Sequence, residues 1–274
     1  MRAAVARVVL LCALPVGLLA CGADDEEAST SEQPKAPAIR VEGRDYAFVM
    51  PDRIMGGVVA MDFSNLGSEL HEYSLSRLDP GKTLVDVNEV LAKGEEPGWV
   101  HDIGGVPVLT PGAQIRITRK LQPGNYLFLC FIPDPKGRPH ASLGMKRLFK
   151  VAGDSGAKPP HTDGVIVAGE KAFRMPTIEA GRQTLELRNG ASKPREFNLI
   201  GLRPGKTEGD AQKFFAPLEK GRGFRVRGEP PLDLLGAMQS IEPGTSVYLT
   251  AEFKRGWSYR LSDEENQIEA RFSP

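Results

Sequence analysis

The chain repeats itself, and this constrains its fold more than any other feature. Asn65-Leu-Gly-Ser-Glu-Leu-His71-Glu-Tyr-Ser-Leu-Ser-Arg-Leu-Asp-Pro80-Gly-Lys-Thr83 aligns without gaps on Asn189-Gly-Ala-Ser-Lys-Pro-Arg195-Glu-Phe-Asn-Leu-Ile-Gly-Leu-Arg-Pro204-Gly-Lys-Thr207. Upstream, Phe48-Val-Met-Pro51 matches Phe173-Arg-Met-Pro176. Downstream, Leu109-Thr-Pro-Gly112 matches Ile241-Glu-Pro-Gly244, and Lys120-Leu-Gln-Pro-Gly124 falls on Glu252-Phe-Lys-Arg-Gly256. The offset is 124 in the first block and 132 in the last, so the second copy gains about one short loop. Two copies of roughly 110 residues suit two domains rather than a solenoid.

Each copy reads as short strands separated by Pro-Gly turns. Tyr46 and Phe48, Val58 to Phe63, and Glu72 to Leu78 are alternating or apolar runs, and Gln114 to Arg119 alternates as a half-buried strand does. Asn125 to Phe131 and Arg147 to Val151 close the copy. One helix is predicted over Thr83 to Lys93, where Leu84, Val87, Val90 and Leu91 share a face, with its equivalent at Asp210 to Glu219. Ala152 to Asp163, with two prolines and no periodicity, reads as the linker. The fold class expected is all-β, two tandem β-sandwiches with one short helix each.

The first twenty residues are not fold material. Arg2 and Arg7 give a positive start, and Val8 to Leu19 is apolar but too short to favour a stable membrane span. Leu18-Leu19-Ala20-Cys21-Gly22 resembles the lipobox of a bacterial lipoprotein, which implies cleavage before Cys21 and lipidation of its thiol; the plainer alternative is an ordinary secretory signal with a chance cysteine. The acidic, Ser-rich stretch that follows suits a solvated tether. The organisation expected is a signal peptide (1–20), a flexible tether (21–38), a first domain (39–152), a linker (153–163) and a second domain (164–274). The mature protein is expected outside the cytoplasm, lipid-anchored in the cell envelope.

Processing settles the cysteine arithmetic. Cys12 leaves with the signal and Cys21 carries lipid, so Cys130 stands alone in an oxidising compartment, a liability unless it is buried or ligated. Lys and Arg (35) balance Asp and Glu (35), so nothing points to nucleic acid. Cys130 opens a run that reaches His140 after nine intervening residues and Met145 after four more. A soft thiolate, an imidazole and a weak thioether from one loop suit a copper ion that shuttles one electron. A second imidazole, His71, lies upstream. Taken singly, each residue has a plainer reading: a surface histidine, a buried core cysteine, a core-filling methionine.

The first copy resembles the cupredoxin family, the small blue copper proteins related to plastocyanin. The resemblance rests on Gly124-Asn-Tyr126-Leu-Phe128-Leu-Cys130, then His140, then Gly144-Met145 and the closing strand. It implies a Greek-key sandwich, a single type 1 copper held by His71, Cys130, His140 and Met145, and electron transfer with redox partner proteins in the envelope. The loop between Cys130 and His140 is longer than in plastocyanin, and its prolines with Lys136-Gly137 predict a projecting turn. The second copy has Arg195 at the place of His71, aligns Ser262 with Cys130, and offers no later His or Met. It is expected to bind no copper. Its basic stretch Lys220-Gly-Arg-Gly-Phe-Arg-Val-Arg227 could meet an acidic partner, lipid headgroups or only solvent.

Four functions compete on this reading. An electron carrier needs one copper per chain. A multicopper enzyme needs further paired histidines, and only His101 and His161 remain, so no enzyme is expected. A copper storage or delivery lipoprotein and a metal-free binding module of the same fold are the alternatives. No His-Glu-x-x-His helix, phosphate-cradling glycine loop or Gly-x-Ser-x-Gly turn is present.

Overall fold

The computed structural model describes residues 34–95 and 97–274. The expected signal peptide, Cys21 and the tether up to residue 33 lie outside them. The first half runs β1 (Ala38–Arg44), β2 (Ala47–Val49), β3 (Arg53–Met55), β4 (Gly57–Asn65), β5 (His71–Leu78), α1 (Leu84–Lys93), β6 (Val100–Leu109), β7 (Gln114–Leu121), β8 (Gly124–Leu129) and β9 (Lys146–Ala152). The second half repeats this with β10 (Gly164–Ala168), β11 (Phe173–Arg174), β12 (Gly181–Asn189), β13 (Arg195–Leu202), α2 (Glu208–Glu219), β14 (Leu232–Ile241), β15 (Ser246–Phe253), β16 (Ser258–Asp263) and β17 (Ile268–Phe272). The all-β class expected from the sequence is observed, and each half is a β-sandwich carrying one helix.

Both helices start where a side chain satisfies the orphan amides of the first turn. Thr83 caps α1 and Thr207 caps α2, and in each case the aspartate three residues on, Asp86 or Asp210, returns a bond to the cap backbone. The predicted α1 matches, whereas α2 begins two residues before the expected Asp210.

The two halves share both layers. One sheet has the order β11-β10-β12-β15-β7-β4-β1-β2, and the other β17-β16-β13-β14-β6-β5-β8-β9-β3. Each is continuous across the repeat, and the strands that meet are equivalents. In the first sheet, Ile117 of β7 lies opposite Leu249 of β15, its own counterpart at the 132-residue offset. In the second, Gly105 of β6 pairs with Gln239 of β14. Like strands meeting antiparallel about their own midpoints define a local two-fold relation, the geometry of a symmetric dimer built into one chain. The core follows: Val106, Leu109, Ile115 and Ile117 belong to the same buried cluster as Met238 and Leu249.

Strands β6 and β14 escape sequence reading. Gly104, Gly105 and Pro107 interrupt β6, and its pairing with β5 carries two register shifts. What orders it is pairing on both sides, with β5 of its own copy and with β14 across the repeat, long-range contacts with no local signature.

Candidate metal centre

Asn65 builds the turn that delivers the first imidazole. Its side-chain N–H groups donate to the Glu69 and Leu109 carbonyls, both at 2.9 Å, and its oxygen accepts from Gly67 N–H at 2.9 Å. The chain is thereby folded back so that His71 opens β5 facing inward, fully buried. Asn189 makes the same three bonds in the second copy, so the turn belongs to the repeat and not to the site.

The other donors come from the far side. Cys130 follows the last residue of β8, and its backbone N–H donates to the Met145 carbonyl at 3.2 Å. Ala141 N–H returns to the Cys130 carbonyl at 2.8 Å, and a 3-10 turn over His140–Leu143 carries the second imidazole back beneath the sulfur. Met145 N–H donates to the His140 carbonyl at 2.9 Å, which fixes the end of the loop. His71, Cys130, His140 and Met145 are each 0% exposed.

His71 Nδ1 lies 3.2 Å from His140 Nδ1, which in turn lies 3.5 Å from Cys130 Sγ. One donor atom from each of the three residues falls within 4.8 Å of the others. The outer nitrogens are both engaged by carboxylates: His71 Nε2 with Asp45 Oδ1 at 3.0 Å, and His140 Nε2 with Glu69 Oε2 at 3.1 Å. An imidazole that donates from Nε2 keeps its lone pair on Nδ1. Two lone pairs and a sulfur then converge with no proton of their own to share between the rings. That arrangement fits a cation between them.

The electrostatics agree. Burial pushes the His71 pKa down to about 4, helped by His140 and opposed by Asp45, and burial likewise lowers His140. Both rings are therefore neutral donors near pH 7. Burial, with the nearby Glu72, pushes the Cys130 thiol up to about 12, while backbone N–H groups of Glu72 and Ile132 point at the sulfur and work the other way. A thiol held up by desolvation becomes a thiolate only when a positive charge arrives, as a soft metal ion provides. The donor set of two imidazoles and one thiolate, with the buried Met145 tied by its backbone to Cys130 and His140, fits copper.

Sequence reasoning missed the residues that hold the ligands from behind. Asp45 and Tyr46 occupy the β1–β2 turn, where Tyr46 takes a positive φ of 87° that a bulky residue adopts only when its surroundings require it. Tyr46 O–H donates to Glu69 Oε1 at 3.2 Å, and its ring meets the His140 ring edge-on at 4.9 Å. Asp45 also accepts from Ser68 N–H and O–H; burial opposes its ionisation, but these bonds and His71 hold it below the usual carboxylate range. Gly67 packs so closely over this pair that a β-carbon would overlap both Asp45 and His71. One signal was available: Glu170, 125 residues on, stands at the place of Asp45 and accepts from Ser192 as Asp45 does from Ser68.

The second copy requires one correction. Strand register places Ser74 opposite Leu129 and its equivalent Asn198 opposite Ser262. Ser262 thus corresponds to Leu129, and Asp263 stands where Cys130 does, because one extra residue precedes β16. Arg195, at the place of His71, lies 3.8 Å from Asp263, and both are buried. A buried arginine and aspartate thus stand where His71 and Cys130 stand in the first copy. The loop that brings His140 and Met145 has no counterpart, since only residues 264–267 separate β16 from β17.

The loop before His140 turns at Lys136-Gly137, and residues 135–139 are exposed. Pro133 bridges to Pro139, and Asp134 accepts from the Lys136 and Arg138 backbones at 2.8 Å, so residues 131–139 fold back as a hairpin. The second copy lies against it.

No protein-family model and no curated protein sequence matches the chain. Among solved structures it is similar to reduced auracyanin from Roseiflexus castenholzii, at 22% identity and a TM-score of 0.31, over 43% of this chain and 98% of that one. It is also similar to auracyanin A, a "blue" copper protein from Chloroflexus aurantiacus, at 18% identity and TM-score 0.30 over 42% and 98%. An azurin from Methylomonas sp. strain J matches at 18% identity and TM-score 0.29 over 42% and 98%.

Proposed function

We propose that the first copy holds one type 1 copper through His71, Cys130, His140 and Met145. The chain then serves as a one-electron carrier among envelope proteins, tethered to the membrane through lipid on Cys21. The observation that carries this reading is the convergence of two carboxylate-backed Nδ1 atoms on one buried thiol. Copper in such a set supplies one-electron chemistry, because the same donors suit both of its oxidation states.

The rest is done by this chain. Asp45 and Glu69 fix the rotation and tautomer of the two imidazoles, and the carboxylates raise their donor strength. Donors from separate strands, tied by the backbone bonds around Cys130, His140 and Met145, keep the geometry from relaxing when the charge at the site changes. Full burial excludes water and leaves a substrate no approach to the centre, which favours a carrier over an enzyme. His101, 53% exposed, bonds Asp79 at the surface and does not join the cluster.

An absorption spectrum of the purified protein loaded with Cu(II) tests the reading. An intense thiolate-to-copper band at roughly 600 nm is expected. Cys130→Ser should abolish it and Ser262→Ala should leave it intact; a wild-type protein without the band ends the type 1 assignment. Tight Cu(I) binding that resists oxidation would instead identify a delivery protein.

A further inference from the structure

We propose that a basic rim shared by the two copies, over the His140 side of the site, is the docking face for an acidic redox partner. Its use in electron transfer rests on the copper reading; the docking itself does not.

The segment joining α2 to β14 leaves the second copy and lies on the first. Gly223 N–H donates to the Asp134 carbonyl at 2.9 Å, Val226 N–H donates to the Ser68 carbonyl at 3.1 Å, and Arg225 bridges to Glu69. The approach is so close that a β-carbon on Gly223 would overlap the Pro133 carbonyl. The metal-free copy therefore reaches the two elements that position His140: the loop before it and the turn bearing Glu69. The Arg225 Nε lies 3.9 Å from Glu69 Oε1, and Glu69 Oε2 takes the His140 N–H. One buried carboxylate separates this surface from a metal ligand.

The surface is strongly cationic. The segment presents Lys220, Arg222, Arg225 and Arg227, and the adjoining loop adds Lys136 and Arg138, all exposed. The nearby acids do little to cancel them: Asp134 is engaged by Arg138, Glu69 is buried beneath Arg225, and Glu219 remains. Some exposed arginines elsewhere are paired, as Arg44 with Glu42 and Arg271 with Glu208, while others, such as Arg40, Arg53 and Arg174, are not paired among the described residues; what distinguishes this face is six exposed cations on two adjoining segments. Lys136, Lys220, Arg222 and Arg227 have no carboxylate within 4.0 Å among the described residues. On a chain of zero formal charge, unpaired cations gathered beside a buried centre make a local positive field. Such a field draws an acidic partner and orients it.

The same feature fits a membrane surface less well. The apolar residues of the segment, Phe224 and Val226, are both partly buried, Phe224 against Phe214 with ring centroids 5.2 Å apart, so neither is presented for insertion among acyl chains.

Two forms of one probe separate the outcomes: native cytochrome c, which is basic, and its succinylated, acidic derivative. Binding is measured by calorimetry at low and high salt, with and without copper, and electron exchange by stopped flow. The protein should bind the succinylated form at least about tenfold more tightly than the native one at low salt, and lose that preference at high salt. The triple variant Lys220→Glu, Arg222→Glu, Arg227→Glu should reverse the preference while keeping the copper band. Less than about twofold discrimination by the wild type, or an unchanged preference in the variant, overturns the proposal. Co-sedimentation with phosphatidylglycerol vesicles that the variant loses, without cytochrome binding, overturns it in favour of a lipid surface. Binding intact with no copper band sinks the electron-carrier reading alone; the band intact with no binding sinks the docking face alone.

Discussion

His140 differs from a solvent-facing ligand in one respect that decides its properties: its outer nitrogen is held by a buried carboxylate. A negative charge behind an imidazole strengthens its donation and favours the higher oxidation state of the metal. Glu69→Gln should therefore raise the midpoint potential of the copper-loaded protein, because a neutral amide stabilises Cu(II) less; redox titration checks it. The depressed pKa of His71 makes a separate prediction for the metal-free protein. Its folded value of about 4 lies below the ordinary 6.5, so the unfolded chain binds more protons between those limits. Stability should be fully present above about pH 6.5 and fall as the pH drops toward 4, which urea midpoints measured across this window will show. Cys130, His140 and Met145 were legible in the chain because soft donors are rare and these three are close in sequence, whereas His71 joined them only through the family resemblance. Asp45, Tyr46 and Glu69 were not legible, since acids and tyrosines in turns are common and only the fold brings them to the rings.

At the scale of elements, the cross-copy segment is the part most open to test. Gly223→Ala places a methyl against the Pro133 carbonyl and should break the Gly223–Asp134 bond. Overpacking of this kind costs about 1–3 kcal/mol, to be read by denaturant unfolding, and the variant should also shift the copper band by freeing Glu69. The strands with clear alternation, such as β4 and β7, and the capped helices were readable because their signals are local. Strand β6 was not, because its glycines and proline oppose strand formation and partners on both sides, β5 and β14, override them. The register of β16 shows the same limit. A one-residue insertion moved Asp263 into the place of Cys130, and only strand pairing revealed it.

At the scale of the molecule, the copies are joined through both sheets rather than by a linker alone. Edges that a separate sandwich would expose, β6 and β7, are each paired with their equivalents, β14 and β15. Unfolding of the metal-free protein should therefore be a single cooperative transition, with calorimetric and van't Hoff enthalpies in agreement; two resolved transitions would show that the copies fold independently. The sequence by itself determined the repeat, the all-β class, the presence of both helices and the run from Cys130 to Met145, because each depends on matched blocks, periodicity or local spacing; the resemblance added His71. Tertiary structure alone decided what lies behind the ligands and which half covers them. It also decided what stands at the equivalent place in the second copy, a buried arginine and aspartate. Those outcomes depend on residues far apart in the chain that share no pattern until the sheets pair, and the pairing of like strands brings the basic segment of one copy to the end of the other that carries His71, Cys130 and His140.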